Sequence, residues 1–168
     1  MQLLPVALLG MGLLGACGHA APPVPDRRVL DRDLGNYVYR RFQKVEDIEF
    51  PVQGNPGIGY TAVYQLRSTV GDRAVPRSAL AVAFVTEYER PAGLAEALPT
   101  RLGKLDGYEK KTVKVSGQKV MLLVGAGGDA WAVWPSSRYL VKVGGPEARE
   151  APPGVLEAYL DQYPSDLK

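Results

Sequence analysis

The sequence predicts an α+β fold: an antiparallel sheet of about five to six strands with helices packed on one face. Three observations carry this. Apolar and polar residues alternate in several short runs, most clearly over residues 58–68. The C-terminal runs are separated by turns of hairpin length. Two apolar stripes at helical spacing each follow a proline, where its fixed φ suits the first turn of a helix.

In chain order, residues 27–45 carry Leu30, Leu34, Val38, Phe42 and Val45 at helical spacing. Asp26 stands as a possible cap, Asp31 and Asp33 fall in the early turns, and Arg40, Arg41 and Lys44 lie near the end, all favourable to a helix dipole. A helix is therefore expected there, although Gly35-Asn36 and the β-favouring Tyr37-Val38-Tyr39 interrupt it. Ile48, Phe50 and Val52 then alternate as in a strand. The next strand, over 58–68, sets Ile58, Tyr60, Ala62, Tyr64 and Leu66 on one face. A strongly apolar strand is expected at 79–89. The following helix places Leu94, Leu98, Leu102 and Leu105 on one stripe, with Pro99 expected to kink or divide it. Strands at about 109–116, 118–125, 129–135 and 138–143 follow. Pro152-Pro153-Gly154 opens a last helix carrying Val155, Leu156, Tyr159, Leu160 and Tyr163, and Pro164 stops it.

The N-terminus carries a different signal. Residues 3–14 are uncharged and apolar, the length of a signal-peptide core and short of the roughly 20 residues that span a bilayer. The run ends Leu14-Gly15-Ala16-Cys17, which resembles the lipobox of bacterial lipoprotein precursors. Met1-Gln2 lacks the basic residues usual ahead of such a core, and an ordinary secretory signal is the competing reading. The resemblance implies that Cys17 is lipidated, that residues 1–16 are removed, and that the product is held on a membrane through its acyl chains. Gly18 after the cysteine, rather than Asp, points within that family to the outer membrane. Residues 17–26, with Pro22, Pro23 and Pro25, read as an extended linker, and 27–168 as a single globular domain. The element order of that domain loosely resembles Mog1/PsbP-like domains, a likeness of fold alone.

Cys17 is the only cysteine and His19 the only histidine. Neither falls in the expected domain, which therefore has no thiol nucleophile, no disulfide and no histidine base. No catalytic set, metal site or cofactor is assigned. The acidic groups Glu46-Asp47 with Glu49, and Glu87 with Glu89, are candidates for a cation site or a carboxylate pair, the latter two about 7 Å apart on one strand face. Solvated strand ends explain them equally well. Gly125-Ala126-Gly127-Gly128 lacks the ending of a phosphate loop and reads as a hairpin turn. Lys110, Lys111, Lys114 and Lys119 sit in one hairpin, where lysines protect a sheet edge. Trp131 and Trp134, three apart, point to opposite faces of a strand. With Tyr139 they are the candidate binding residues, one tryptophan expected in the core and the other exposed near Tyr139.

Near-balanced charge, formally +2, and an exported address argue against nucleic acid as a partner. The expected role is a non-enzymatic envelope lipoprotein that binds or helps assemble another envelope protein. The alternatives are a carrier holding a lipid or small apolar ligand between the sheet and the helix near 91–105, and a carboxylate-dependent hydrolase.

Overall fold

The computed structural model describes residues 22–46 and 48–168. Seven strands form one sheet: β1 (Tyr37–Val45), β2 (Gly57–Leu66), β3 (Leu80–Tyr88), β4 (Tyr108–Val115), β5 (Gln118–Gly125), β6 (Ala130–Ser136) and β7 (Tyr139–Gly145). Their spatial order is β1-β2-β3-β7-β6-β5-β4, and every neighbouring pair is antiparallel. Helix α1 (Leu94–Gly103) connects β3 to β4, and α2 (Pro153–Gln162) follows β7.

The strands from β2 onward fall where alternation places them. Two expectations fail. Residues 27–45 are not a helix: an irregular segment leads through a turn at Gly35, whose φ is +54°, into β1. Tyr37-Val38-Tyr39 thus follow their β preference. The spacing of four that suggested a helix does not mark one face: Leu30 and Leu34 are buried in the irregular segment, and a bulge between Tyr39 and Arg41 sets Val38 and Phe42 on opposite faces of β1. Nor do Ile48, Phe50 and Val52 form a sheet strand. They cross over the sheet as a loop, with only an isolated bridge between Val52 and Asn55.

The sheet thus has seven strands rather than five or six, because β1 joins its edge. The helices, moreover, do not share a face. The register places Leu123, Val133 and Leu140 on one face, where Leu94, Leu98 and Leu102 of α1 pack. Ala132, Trp134, Val141 and Val143 face the other way, against Val155, Leu156, Tyr159 and Leu160 of α2. β6 and β7 are buried along nearly their whole length. Their apolar runs are what a strand covered on both sides requires. Pro99 lies inside α1, which remains a single ten-residue helix.

The α2 face is closed and dry. Tyr64 Oη donates to Leu30 O at 2.6 Å, and Leu30 N donates to Tyr159 Oη at 3.0 Å. Tyr64 has one hydroxyl proton, so Tyr159 supplies the proton of the 2.8 Å bond between the two phenols. Burial raises both phenol pKa values, Tyr64's the more strongly, so both stay protonated. Trp134 Nε1 donates to Tyr163 O at 2.7 Å, and Tyr163 Oη to Arg28 O at 2.7 Å. These bonds sew the irregular segment 28–30 onto α2. Farther toward the N-terminus, Gln162 Nε2 donates to the carbonyls of Pro22 and Pro23 at 3.0 and 3.1 Å. The prolines read as linker thus lie against α2. Among the described residues no helix is long and apolar enough to cross a membrane.

Candidate binding site

On the other face, α1 runs obliquely and covers only part of the sheet. Its contacts extend from Tyr88 on β3 to Leu123 on β5. The room between α1 and the sheet is filled by Phe50, Val52, Leu98 and Leu140, leaving about 10 Å³, less than one water molecule needs. The cleft expected near 91–105 is thus filled beneath Leu94 and Leu98, while a recess of about 440 Å³ opens along α1 between Ala97, Thr100, Arg101, Lys104 and Leu105 and the loop residues Glu49 and Phe50. More open room lies beside it, in a cleft of about 500 Å³ over β1, β2, β3 and β7, roofed by Glu46, Ile48, Glu49 and Phe50. That is the size of many small-molecule sites.

Glycines let the roof come down. A side chain at Gly59 would collide with Val45, and one at Gly57 would crowd Tyr88 and Ile48. Phe84, Thr86, Leu140 and Lys142 form the cleft floor, with Gln43, Glu46 and Glu49 at its rim. Lys142 is the centre of the arrangement. It stands on β7, the middle strand, and its side chain is only 15 % exposed. Its ammonium lies 4.2 Å from the Trp131 ring centroid and 5.0 Å from that of Phe84. Such desolvated cation–π contacts are worth about 1–2 kcal/mol. Both carboxylate oxygens of Glu49 accept from Lys142 Nζ at 2.7 Å, and the Glu49 side chain is 48 % exposed.

Trp131 is itself held in place. Its indole lies across Gly144, where any side chain would collide with the ring, and Nε1 donates to Asp129 Oδ2 at 2.9 Å. Tyr108 Oη donates to the same oxygen at 2.8 Å. Burial pushes the Asp129 pKa up, but these two hydrogen bonds, a backbone hydrogen bond and the nearby Lys142 ammonium together hold the carboxyl below its ordinary value. The hydrogen bond to Asp129 in turn raises the Tyr108 pKa. Gly125 completes the corner, since a side chain there would overlap the Asp129 carboxylate. The glycine-rich run is a β5–β6 hairpin turn, with Gly128 at φ +85°.

The candidate residues from the sequence are not gathered at one place. Cys17 and His19 lie outside the described residues, as does Asp47. Trp131 and Trp134 do point to opposite faces, but Tyr139 goes with Trp134 rather than with Trp131. Trp134 is fully buried, and Tyr139 is 7 % exposed with its ring 5.1 Å from that of Tyr163. Glu87 is clamped by Arg28 Nε at 2.8 Å and Arg138 Nη2 at 2.6 Å, fastening the N-terminal segment to β3 and the β6–β7 turn. Glu89 lies beyond the strand and is exposed. Lys110 donates to the Gly103 carbonyl at the end of α1, while Lys111 and Lys114 stand on β4, a sheet edge. Among the described residues no three His, Cys, Asp or Glu side chains group so as to hold a metal ion.

Sequence reasoning overlooked Lys142, Phe84 and Thr86. Lys142 carried a usable signal, as the lone charge within the apolar run Tyr139–Gly145. Glu49 was noticed only for its acidic neighbours. Comparison with protein-family models, with curated proteins and with solved structures found no match to this chain.

Proposed function

We propose that this chain is a membrane-anchored bacterial envelope lipoprotein with a binding or assembly role rather than a catalytic one, and that the cleft beside α1 is its binding element. The single observation that carries the binding role is that cleft, about 500 Å³ with a lysine held between two aromatic rings on its floor. The address rests on Leu14-Gly15-Ala16-Cys17 and the apolar run before it, with the outer membrane as the proposed destination. Kinship of fold with Mog1/PsbP-like domains belongs to the same proposal and assigns no residue a role.

The docked prolines refine the tether. Four residues lie between Cys17 and Pro22, five chain steps with a reach of at most about 18 Å, and Pro22 lies on the α2 side. A lipid on Cys17 would then hold the domain by its α2 side, leaving the cleft turned toward other envelope components. The carrier reading stands second, favoured by the volume of the cleft.

Two measurements test this. Wild-type chain produced in a bacterial host should incorporate labelled palmitate, and Cys17→Ala should not; no label on wild type refutes the anchor. A photo-crosslinking residue at Gln43 should capture an envelope protein in cells, whereas one at Lys111, on the opposite face, should not. Equal capture at both positions refutes the cleft as the binding element.

A further inference from the structure

We infer that Lys142 is the head-group anchor of a site for a small amphiphile bearing one carboxylate or phosphate, and that Glu49 occupies that anchor from within the chain. The inference rests on reading the cleft as a binding site and names what enters it.

The position of the lysine is the first argument. A charge on the central strand of a seven-stranded sheet must give up most of its water, and an isolated buried ammonium is strongly disfavoured. Here the desolvated cation is held by two ring faces and one carboxylate. The rings are fixed, because Trp131 is pinned between Gly144 and Asp129, with the Phe84 and Trp131 centroids 5.9 Å apart. The anion-binding geometry therefore persists whichever carboxylate is present.

The second argument is the nature of its partner. Glu49 comes from a loop outside the sheet ladder, and half of its side chain is in water. Its neighbour Phe50 is held by a hydrogen bond from Tyr88 Oη to the Phe50 carbonyl at 2.6 Å. No amide of 48–50 donates a backbone hydrogen bond to another of the described residues. Replacing Glu49 by an incoming carboxylate or phosphate exchanges one charge-assisted contact for another of the same kind. The lysine is never left unpaired, and the released glutamate is fully hydrated.

The third argument is what lies next to the lysine. Phe84, Leu140, Ile48 and Val45 supply apolar wall, and the Thr86 hydroxyl lies on the floor. An anionic head on Lys142 would carry its apolar body along this wall. A neutral head gains only a hydrogen bond from the ammonium without the charge pairing, and a cationic one is repelled by it.

The two tryptophans make the test self-controlled. In the full chain labelled with nitrogen-15, the Trp131 indole N–H reports the site and the buried Trp134 indole N–H reports the fold. Hexanoate should shift the Trp131 resonance saturably and leave that of Trp134 in place. Glu49→Gln removes the internal competitor and should tighten hexanoate binding about tenfold or more, while Lys142→Met should abolish it. Hexanol and hexylammonium should bind at least about tenfold more weakly than hexanoate. Hexyl phosphate in a parallel arm tells a phosphate head from a carboxylate by which binds tighter.

Unchanged affinity in Glu49→Gln, retained binding in Lys142→Met, or no hexanoate binding to either wild type or Glu49→Gln each overturns the inference. Glu49 is exposed, so its variant remains decisive even if Lys142→Met fails to fold. Capture of an envelope protein at Gln43 without hexanoate binding would remove this inference and leave the broader reading in place. Hexanoate binding without any protein capture would do the reverse.

Discussion

Two irregular segments lie over opposite faces of the sheet, and they are fastened to different degrees. Residues 28–34 are tied to α2 and β2 by several hydrogen bonds among buried tyrosines and backbone groups, with the Arg28–Glu87 ion pair beside them. On the α1 face, residues 48–50 are held by one hydrogen bond from Tyr88 to the Phe50 carbonyl and by half-exposed Glu49 on Lys142. A buried bond must be replaced by nothing when it opens, so opening it exposes the full desolvation penalty. Release of Glu49 returns its carboxylate to water, and an incoming anion offsets the desolvated Lys142 ammonium it leaves. The tyrosine network opens only at high cost, whereas the contact of Glu49 with Lys142 is exchangeable. That difference supports the proposal that the α1 face is the binding surface.

The largest effect should come from the closed face. Trp134→Ala removes a fully buried side chain and its bond to Tyr163 O, and should lower unfolding free energy by about 3–5 kcal/mol. Urea titration measures it. A loss below about 1 kcal/mol would mean that the α2 face is not the stabilising one.

Tyr159→Phe comes next. It leaves Leu30 N without its acceptor and Tyr64 Oη with one donor fewer, for about 1–3 kcal/mol. The same titration should also show faster exchange of the Leu30 amide. An unaltered Leu30 amide would break the comparison between the two segments.

Asp129 sharpens the picture through pH. Its folded-state pKa lies below the unfolded value, so its contribution is present in full above about pH 4–5 and disappears as pH falls through the depressed value. Asp129→Asn should remove that part of the acid dependence and cost about 1 kcal/mol at neutral pH. Parallel pH profiles for wild type and variant would contradict the role given to the Tyr108 and Trp131 bonds.

The smallest effect is expected at Glu49. Glu49→Gln removes the charge but leaves an amide oxygen to accept from Lys142, whose two ring contacts persist, and should change stability by about 1 kcal/mol or less. A loss of several kcal/mol in urea titration would make the Glu49–Lys142 pair a structural fastening rather than an exchangeable one.

Much of the sheet was legible because period-two alternation survives wherever one face is buried. β2, β3 and all four strands after α1 could be read in this way, as could α2 between its prolines. The segment before β1 misled because Leu30 and Leu34 continue into Val38 and Phe42 at helical spacing, although the αL turn at Gly35 and the bulge between Tyr39 and Arg41 put Val38 and Phe42 on opposite faces of a strand. The division of the helices between two faces was encoded in the apolar runs of β6 and β7, which one-sided packing does not require. The cleft was not legible. It depends on the oblique path of α1, on Gly57 and Gly59 admitting the roof, and on Lys142 meeting Glu49 across 93 positions. No local pattern reports any of these.

The contrast between the two fastenings is tested most directly by hydrogen–deuterium exchange of the full chain at neutral pH, comparing amides 48–50 with those of Leu30 and Leu34. The account predicts exchange at 48–50 at least about 100-fold faster after correction for intrinsic rates, with Leu30 and Leu34 opening only near global unfolding. Equal protection of the two segments would contradict it.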